Sequence, residues 1–523
     1  MVARVVKAPL RSLMVLGTAS NVGKSIIATA FCRIFAQDGY RVAPFKAQNM
    51  SLNSAATPDG YEIGRAQALQ AEAAGIAPSA DMNPVLIKPS SDTFAQIVVN
   101  GTIWANVSAH DFFRNRVREL FPDALAAYRR LANRHDVIVL EGAGSPAEIN
   151  LREADIVNMR MAEAADAACV LVGDIERGGV FAALYGTLEL LRPEERARIR
   201  GFVINKFRGD PAILEPGLRM IEEKMGIPCF GVIPHLPDIA LEDEDSLALQ
   251  KFRAKKAFAS AASADSERPL RVAVVALPSM ANFTDFDALA AEPVIDLLYV
   301  DAPEALERAD VAIVPGTKQT LADLRWLRET GIAGALTRSA GRMPIIGICG
   351  GMQMLGRTIE DPDGVEGGGR SDGLALLPIR TRLACHKVTR PSAGTLVARQ
   401  LFGESIAFGD VRGYEIHVGQ TEYERSAPLL SLTRNGEGPA IGDGAVSDDG
   451  WTIGTYLHGF FDGDELRHAF IEALRRACGL GSLRERRFVA RERADRIDRL
   501  AAHVRASLDM KAIMAHLEPI AVA

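Results

Sequence analysis

The sequence predicts an α/β protein made of two doubly wound, mainly parallel-sheet domains joined by a linker, with a C-terminal helical tail. Three observations carry that expectation. From about residue 12 to 235, short β-branched runs alternate with amphipathic stretches of helix length. The alternation breaks in "KFRAKKAFASAASADSERP", which is poor in large apolar residues, and it restarts with "LRVAVVALP". A chain of 523 residues is also too long for one hydrophobic core. The expected division is therefore 1–250 for the first domain, 251–269 for the linker, 270–480 for the second domain and 481–523 for the tail.

In the first domain the expected strands are "LMVLG", "RVAPFKA", "DVIVLEG", "ACVLVGD", "GFVINKF" and "PCFGVIP". Helix-length segments lie between several of them, the signature of a parallel sheet covered on both faces. In the second domain the strands are "LRVAVVALP", "DVAIVPGT", "MPIIGICGG" and "WTIGTYLHGFF". The tail places Ile497, Leu500, Val504 and Leu508 at helical spacing. Its arginines are interleaved with acids, as on a solvated helix packed against its own protein.

Composition excludes several classes of function. Apolar residues make up 48% and charged residues 24% of the chain, the balance of a globular protein. A net charge of −6 argues against a dominant nucleic-acid surface. No run approaches the ~18 uncharged apolar residues of a membrane span. The N-terminal apolar run is short and leads directly into a phosphate loop, so neither a membrane nor a cleaved signal is expected, and the cytoplasm is the expected location. The six cysteines form no CxxC pair and no zinc spacing.

The segment "GTASNVGKS" joins the first strand to a helix-forming run. A glycine-rich turn there points successive N–H groups at one spot, and the helix dipole adds positive potential. Thr18 and Gly23 belong to this loop, Lys24 reaches terminal phosphates, and Ser25 offers a hydroxyl to Mg²⁺. The loop has five residues between Gly17 and Gly23 where the usual one has four. Glu141 ends "DVIVLEG", at the same sheet edge, where a carboxylate holds Mg²⁺ directly or through water. Lys46 ends "RVAPFK" and is placed to neutralise phosphoryl oxygens. Asn205, ending a further strand, is a candidate to read an adenine edge, with a turn-forming role equally open. The expected ligands of this domain are ATP and Mg²⁺.

"GICGG" at 347–351 fits the nucleophile-elbow pattern, with an apolar strand before it and "MQMLG" starting a helix after it. Cys349 is thus a candidate nucleophile at a helix N-terminus. His458, in "GTYLHGFF", ends another β-like run and is the candidate base for the thiol and acid for leaving ammonia. His417, in "GYEIHVG", is the other histidine at hand. The N–H groups of Gly316, in "VPGT", and Gly350 are candidates for an oxyanion hole.

With these residues in view, the second domain resembles a class I glutamine amidotransferase. Gln353, four residues after Cys349, matches the position that contacts substrate glutamine in many such domains. The chain departs from the family pattern at Phe460, where many members carry a glutamate two residues after the histidine, so a Cys349–His458 dyad is expected. The first domain resembles the dethiobiotin-synthetase-like branch of phosphate-loop enzymes, which shares the five-residue loop and "EGAG". Together the two resemble the cobyric acid synthase family, most specifically in "PFKAQNMSLNS", "EIGRAQALQAEAAG", "MNPVLIKP", "DIERGGVFAALYGT", "INKFRGD" and "GYEIHVGQT".

That resemblance implies a ligase that activates carboxylates as acyl phosphates with ATP and displaces the phosphate with ammonia from L-glutamine. Its corrinoid substrate would be adenosylcobyrinic acid a,c-diamide, amidated at the b, d, e and g carboxylates. Asn49, Asn53, Arg65 and Gln67 are candidate contacts to the macrocycle or ATP, with loop and helix-cap roles open for each. Glu62 and Asp59 are candidates to complete the metal shell. Three alternatives stand beside this reading: cobyrinic acid a,c-diamide synthase, which amidates two other carboxylates; a non-catalytic phosphate-loop switch; and a thiol hydrolase with a regulatory nucleotide domain. The sequence does not fix an oligomeric state.

Overall fold

A computed structural model of the chain describes residues 10–89, 94–108, 112, 117–237, 268–406, 409–424, 427–483 and 485–518. The expected linker at 251–269 lies outside these except for its last two residues. The chain forms two compact units. The first comprises Met1–Ser51, Glu62–Glu242 and Arg493–Ala523, and the second comprises Leu52–Tyr61 and Asp243–Glu492.

The first unit is built on a six-stranded parallel sheet. Its strands run in the order Cys229–Pro234, Ile199–Phe207, Ala168–Asp174, Leu13–Gly17, Val137–Glu141, Val42–Phe45. Leu13–Gly17 is fully buried between its neighbours, which explains why it reads as an unbroken apolar run rather than an alternating one. On one face the helix Lys24–Gln37 contributes Ile27, Phe31 and Phe35 to the core. The C-terminal helices Val489–Ser507 and Met510–Leu517 add Ile497, Leu500, Val504, Ile513 and Leu517 to the same cluster. The spacing read from the tail is thus the buried stripe of a core helix. A small second sheet, Gln48–Met50, Val85–Pro89, Phe94–Val99 and Thr102–Ser108, has no counterpart in the strands expected from sequence.

The second unit has a sheet in the order Ile295–Val300, Leu270–Val275, Val311–Val314, Ile345–Ile348, Thr452–Thr455, Ala445–Val446, parallel except for the last edge. Beside it lies a largely antiparallel sheet dominated by the long strands Ile379–Leu396 and Asp410–Tyr423. The short strand Leu457–His458 pairs with the second of these, with Tyr414 opposite His458.

Candidate functional site

In the first unit the phosphate loop leaves Leu13–Gly17 and enters its helix through Gly23, which has φ +101 and caps the helix in a left-handed conformation. A Cβ at Gly23 would lie 2.2 Å from Asn205 Nδ2, so conformation and space both demand glycine here. Asn205 donates that amide to the Val22 carbonyl at 2.9 Å. Asn205 thus braces the phosphate loop from the strand Ile199–Phe207. Lys206, itself at φ +60, braces the same loop through Asn21 O at 2.8 Å and pairs with Asp174 at 2.7 Å. Thr18, at the start of the loop, is tied to the neighbouring strand through Val172 O.

Lys24 rests on the carbonyls of Ala19 and Gly144, at 2.9 and 3.0 Å. Glu141 is where the expected residues converge. Its Oε1 accepts from Ser25 Oγ at 2.8 Å and from Lys46 Nζ at 2.9 Å, and its Oε2 accepts from Gln70 Nε2 at 2.6 Å. Burial opposes charge on this carboxylate, but Lys46 and the hydrogen bonds of Gln70 and Ser25 overcome it and hold Glu141 below the usual carboxylate range. The result is a buried anionic oxygen beside a hydroxyl, with an ammonium against it. Gln70 was not expected; it lies on the helix Arg65–Ala74, one turn from Gln67.

The remaining candidates are sorted by their neighbours. Asn49 donates to Gln67 Oε1 at 3.1 Å, and both are buried. Arg65 is the first residue of its helix. Glu62 is engaged by Lys88 at 2.6 Å, in a buried ion pair of its own. Asp59 accepts from Thr57 Oγ1 at 2.6 Å within a turn. Asn53 lies in the second unit, bonded to Phe283 N at 3.1 Å.

The second unit assembles its site from two neighbouring strands. Ile348 is in register with Thr455, so the residues that follow each emerge at one sheet edge. Cys349 follows the first and has φ +49 and ψ −111, a strained elbow conformation at the N-terminus of Gly350–Leu355. The two glycines that follow it make room for the turn: a Cβ at Gly351 would lie 1.9 Å from Val314 O, and one at Gly350 would lie 2.7 Å from Thr317 Cγ2. His458 follows the second strand and lies close enough to Cys349 for the thiol to favour a charged imidazole. Gly316 lies against both: a Cβ there would sit 3.1 Å from His458 Cε1 and 3.6 Å from Cys349 Cβ. Gln353 is held by Tyr456 OH at 3.0 Å and Thr320 Oγ1 at 3.3 Å.

The expected dyad is completed by a carboxylate from far upstream. Asp285 Oδ2 lies 2.7 Å from His458 Nδ1, and its Oδ1 accepts from Gly459 N at 3.0 Å. Burial disfavours a charged imidazole, but Asp285 and Cys349 outweigh it and push His458 up to about 10. The Tyr414 ring stacks on the imidazole at 5.4 Å between centroids. Phe460, where a glutamate was missed, packs against Phe461 and Phe470 in an aromatic cluster. His417 faces elsewhere: its ring bonds Gly419 O at 2.9 Å and Glu415 at 3.4 Å and stacks on Tyr456.

An elbow thiol with an imidazole held by a carboxylate can attack an amide carbon, protonate the departing ammonia and activate water against the thioester. A phosphate loop with Ser25 on Glu141 can hold a nucleoside triphosphate and a hard cation.

Comparison with known proteins agrees with both halves. Residues 13–248 match the CobQ/CobB/MinD/ParA nucleotide binding domain, and residues 271–466 match the CobB/CobQ-like glutamine amidotransferase domain. A cobyric acid synthase of Klebsiella pneumoniae is 50% identical over 97% of this chain and 99% of its own. Cobyric acid synthases of Salmonella enteritidis and Salmonella agona are 49% identical over 98% of this chain and 100% of theirs.

Proposed function

This chain belongs to the cobyric acid synthase family, and we propose how its residues divide the family's reaction. The enzyme is a glutamine-hydrolysing, ATP-dependent amide ligase that converts the b, d, e and g carboxylates of adenosylcobyrinic acid a,c-diamide to amides. What supports the division is that one chain carries both an elbow cysteine with its histidine and a phosphate loop with Ser25 on Glu141.

At Cys349 the sulfur attacks the side-chain carbon of L-glutamine, with Gly316 and Gly350 as the candidate oxyanion donors and Gln353 on the substrate side. His458 gives its proton to the leaving nitrogen, ammonia departs, and water then releases glutamate and restores the thiol. Asp285 acts through His458 as a positioning residue, fixing the Nδ1 proton so that Nε2 serves the thiol. At the phosphate site a substrate carboxylate oxygen takes the terminal phosphoryl group of ATP and ADP leaves. Ammonia then attacks the acyl carbon and phosphate departs.

Lys24 and Lys46 neutralise phosphoryl oxygens during that transfer. Ser25 and Glu141 fit Mg²⁺: both offer hard oxygens, 2.8 Å apart, and Glu141 is held anionic. Among the described residues no cluster of three or more His, Cys, Asp or Glu side chains forms a closed metal cage. That suits an ion bound by one carboxylate, one hydroxyl and substrate phosphates. When bound, Mg²⁺ supplies charge neutralisation to the transferring phosphoryl group.

Among the described residues no helix is long and apolar enough to cross a membrane. With a net charge of −6, small-molecule substrates rather than nucleic acid or membrane are the partners we propose, in the cytoplasm. The test is to incubate the protein with the a,c-diamide, ATP, Mg²⁺ and glutamine and follow product mass. Up to four successive acid-to-amide changes are expected. No mass change on the a,c-diamide, with two changes on its unamidated precursor, would move the reading to cobyrinic acid a,c-diamide synthase.

A further inference from the structure

The helical turn that carries Asp285 is held by a segment from a distant part of the sequence. Asn282 adopts a left-handed conformation, φ +51 and ψ +44, and caps the turn Phe283–Phe286. Asparagine tolerates that conformation better than most residues. Its side-chain Oδ1 accepts from the backbone N–H of Ser54 at 3.0 Å. In return, the backbone N–H of Phe283 donates to Asn53 Oδ1 at 3.1 Å. Asn53 and Ser54 are each 1% exposed, Asn282 is 3% and Asp285 is 4%. In such a setting, removing one partner leaves a buried amide without its bond, at a cost well above that of a solvent-exposed one.

A second anchor fixes the other end of the segment. Thr57 and Tyr61 close a turn through Thr57 N to Tyr61 O at 2.7 Å, and Arg390 Nη1 donates to Gly60 O at 3.3 Å. A Cβ at Gly60, φ +86, would lie 1.8 Å from Arg390 Nη1, so the arginine approaches as closely as glycine allows. Between the anchors, the strand Ser54–Ala56 packs against Asp410–Tyr423. That strand carries Tyr414, which stacks on His458, and Ile416, whose carbonyl accepts from Cys349 Sγ at 3.6 Å. Residues 52–61 therefore touch both supports of the catalytic imidazole: the turn that bears its carboxylate and the strand that bears its stacking ring.

We propose that Asn53 is a positioning residue for glutamine hydrolysis, and that residues 52–61 form a clasp which aims Asp285 at His458. The acid sits two residues beyond Phe283, so the bond from Phe283 N to Asn53 fixes the turn close to the carboxylate itself. Asp285 must meet two donors at once, His458 Nδ1 and Gly459 N. A turn released from Asn53 and Ser54 cannot keep both distances, and the imidazole loses the partner that sets its tautomer. The hydrolytic half of the enzyme is thus incomplete without ten residues that precede most of the phosphate-site domain in sequence.

The experiment uses the full chain with Asn53→Ala, Asn53→Ser and Asn53→Asp, reading kcat and KM for glutamine hydrolysis, ammonium-supported amidation and thermal midpoint. In Asn53→Ala the expected result is a kcat for hydrolysis lower by about 10- to 10²-fold, KM changed less than about twofold and ammonium-supported amidation retained. Asn53→Asp keeps an acceptor for Phe283 N and should recover most of the lost kcat. If Asn53→Ala does not fold, Asn53→Ser provides the same comparison. Wild-type hydrolysis in a folded Asn53→Ala or Asn53→Ser protein overturns the proposal. So does an equal loss of both activities, or an Asn53→Asp variant as defective as the alanine.

Discussion

Asp285 Oδ2 and His458 Nδ1 lie 2.7 Å apart although 173 residues separate them in sequence. Both are buried, and the same carboxylate also ties down Gly459 N, so the imidazole is held in one orientation. Asp285→Asn should therefore lower glutamine hydrolysis by about 10²–10⁴-fold, the usual reach of a general base. Ammonium-supported amidation should be spared. Parallel measurement of the two rates checks this, and near-normal hydrolysis would remove Asp285 from the site.

The same pair predicts a pH dependence of stability. His458 is raised from its ordinary value to about 10 by Asp285 and Cys349 against the opposing effect of burial. A group raised on folding stabilises fully below its unfolded value, about 6.5, and that contribution is lost as pH rises toward 10. The thermal midpoint of wild type should exceed that of Asp285→Asn most near pH 6, with the gap narrowing steadily toward pH 10. A gap that is constant or widens with pH would contradict the pairing.

At the phosphate site, Lys24→Ala and Glu141→Gln should remove amidation with either nitrogen source, by roughly 10²-fold or more. Glutamine hydrolysis should survive in both. If ammonium-supported turnover stayed near wild type, ATP would be handled elsewhere in the chain.

Phe460 separates packing from chemistry. It is fully buried against Phe461 and Phe470, so Phe460→Ala should cost about 3–5 kcal/mol of stability. The rate of glutamine hydrolysis per folded molecule should change little. Denaturant midpoints beside rates measured at low temperature distinguish the two effects, and a stable but inactive variant would mean that Phe460 touches the chemistry.

These residues also mark how far the sequence could be read. Gly23, Lys24, Ser25 and Cys349 are legible because their geometry is local: a strand, a tight glycine turn and a helix within a dozen residues. Glu141 and His458 are legible as strand ends, since parallel strands deliver their last residues to one edge. Asp285 is not, because nothing within "NFTDFDALAAE" distinguishes it from Asp287 or Glu292; only the fold brings one of them to His458. Gln70 escapes for the same reason, and so does the bond of Asn53 to Phe283, although Asn53 itself stands out in sequence as a candidate substrate contact. Their roles are set by partners, Glu141 and Phe283, that lie 71 and 230 positions away. In the long strand Ile379–Leu396 a break in register between Leu383 and Val388 interrupts the alternation that would announce it. The excursion of residues 52–61 into the second unit carries no compositional signal at all.

One chain makes ammonia with Cys349 and consumes it where Lys24, Ser25 and Glu141 handle phosphate. The most direct test is the product mass formed from the a,c-diamide and ATP–Mg²⁺ by Cys349→Ser, with glutamine and with ammonium salts as nitrogen source. The expected result is no amidation with glutamine and undiminished amidation with ammonium. Loss of both activities in the folded variant would contradict it, placing Cys349 in the synthetase chemistry, and retained glutamine-dependent amidation would remove the cysteine from catalysis altogether.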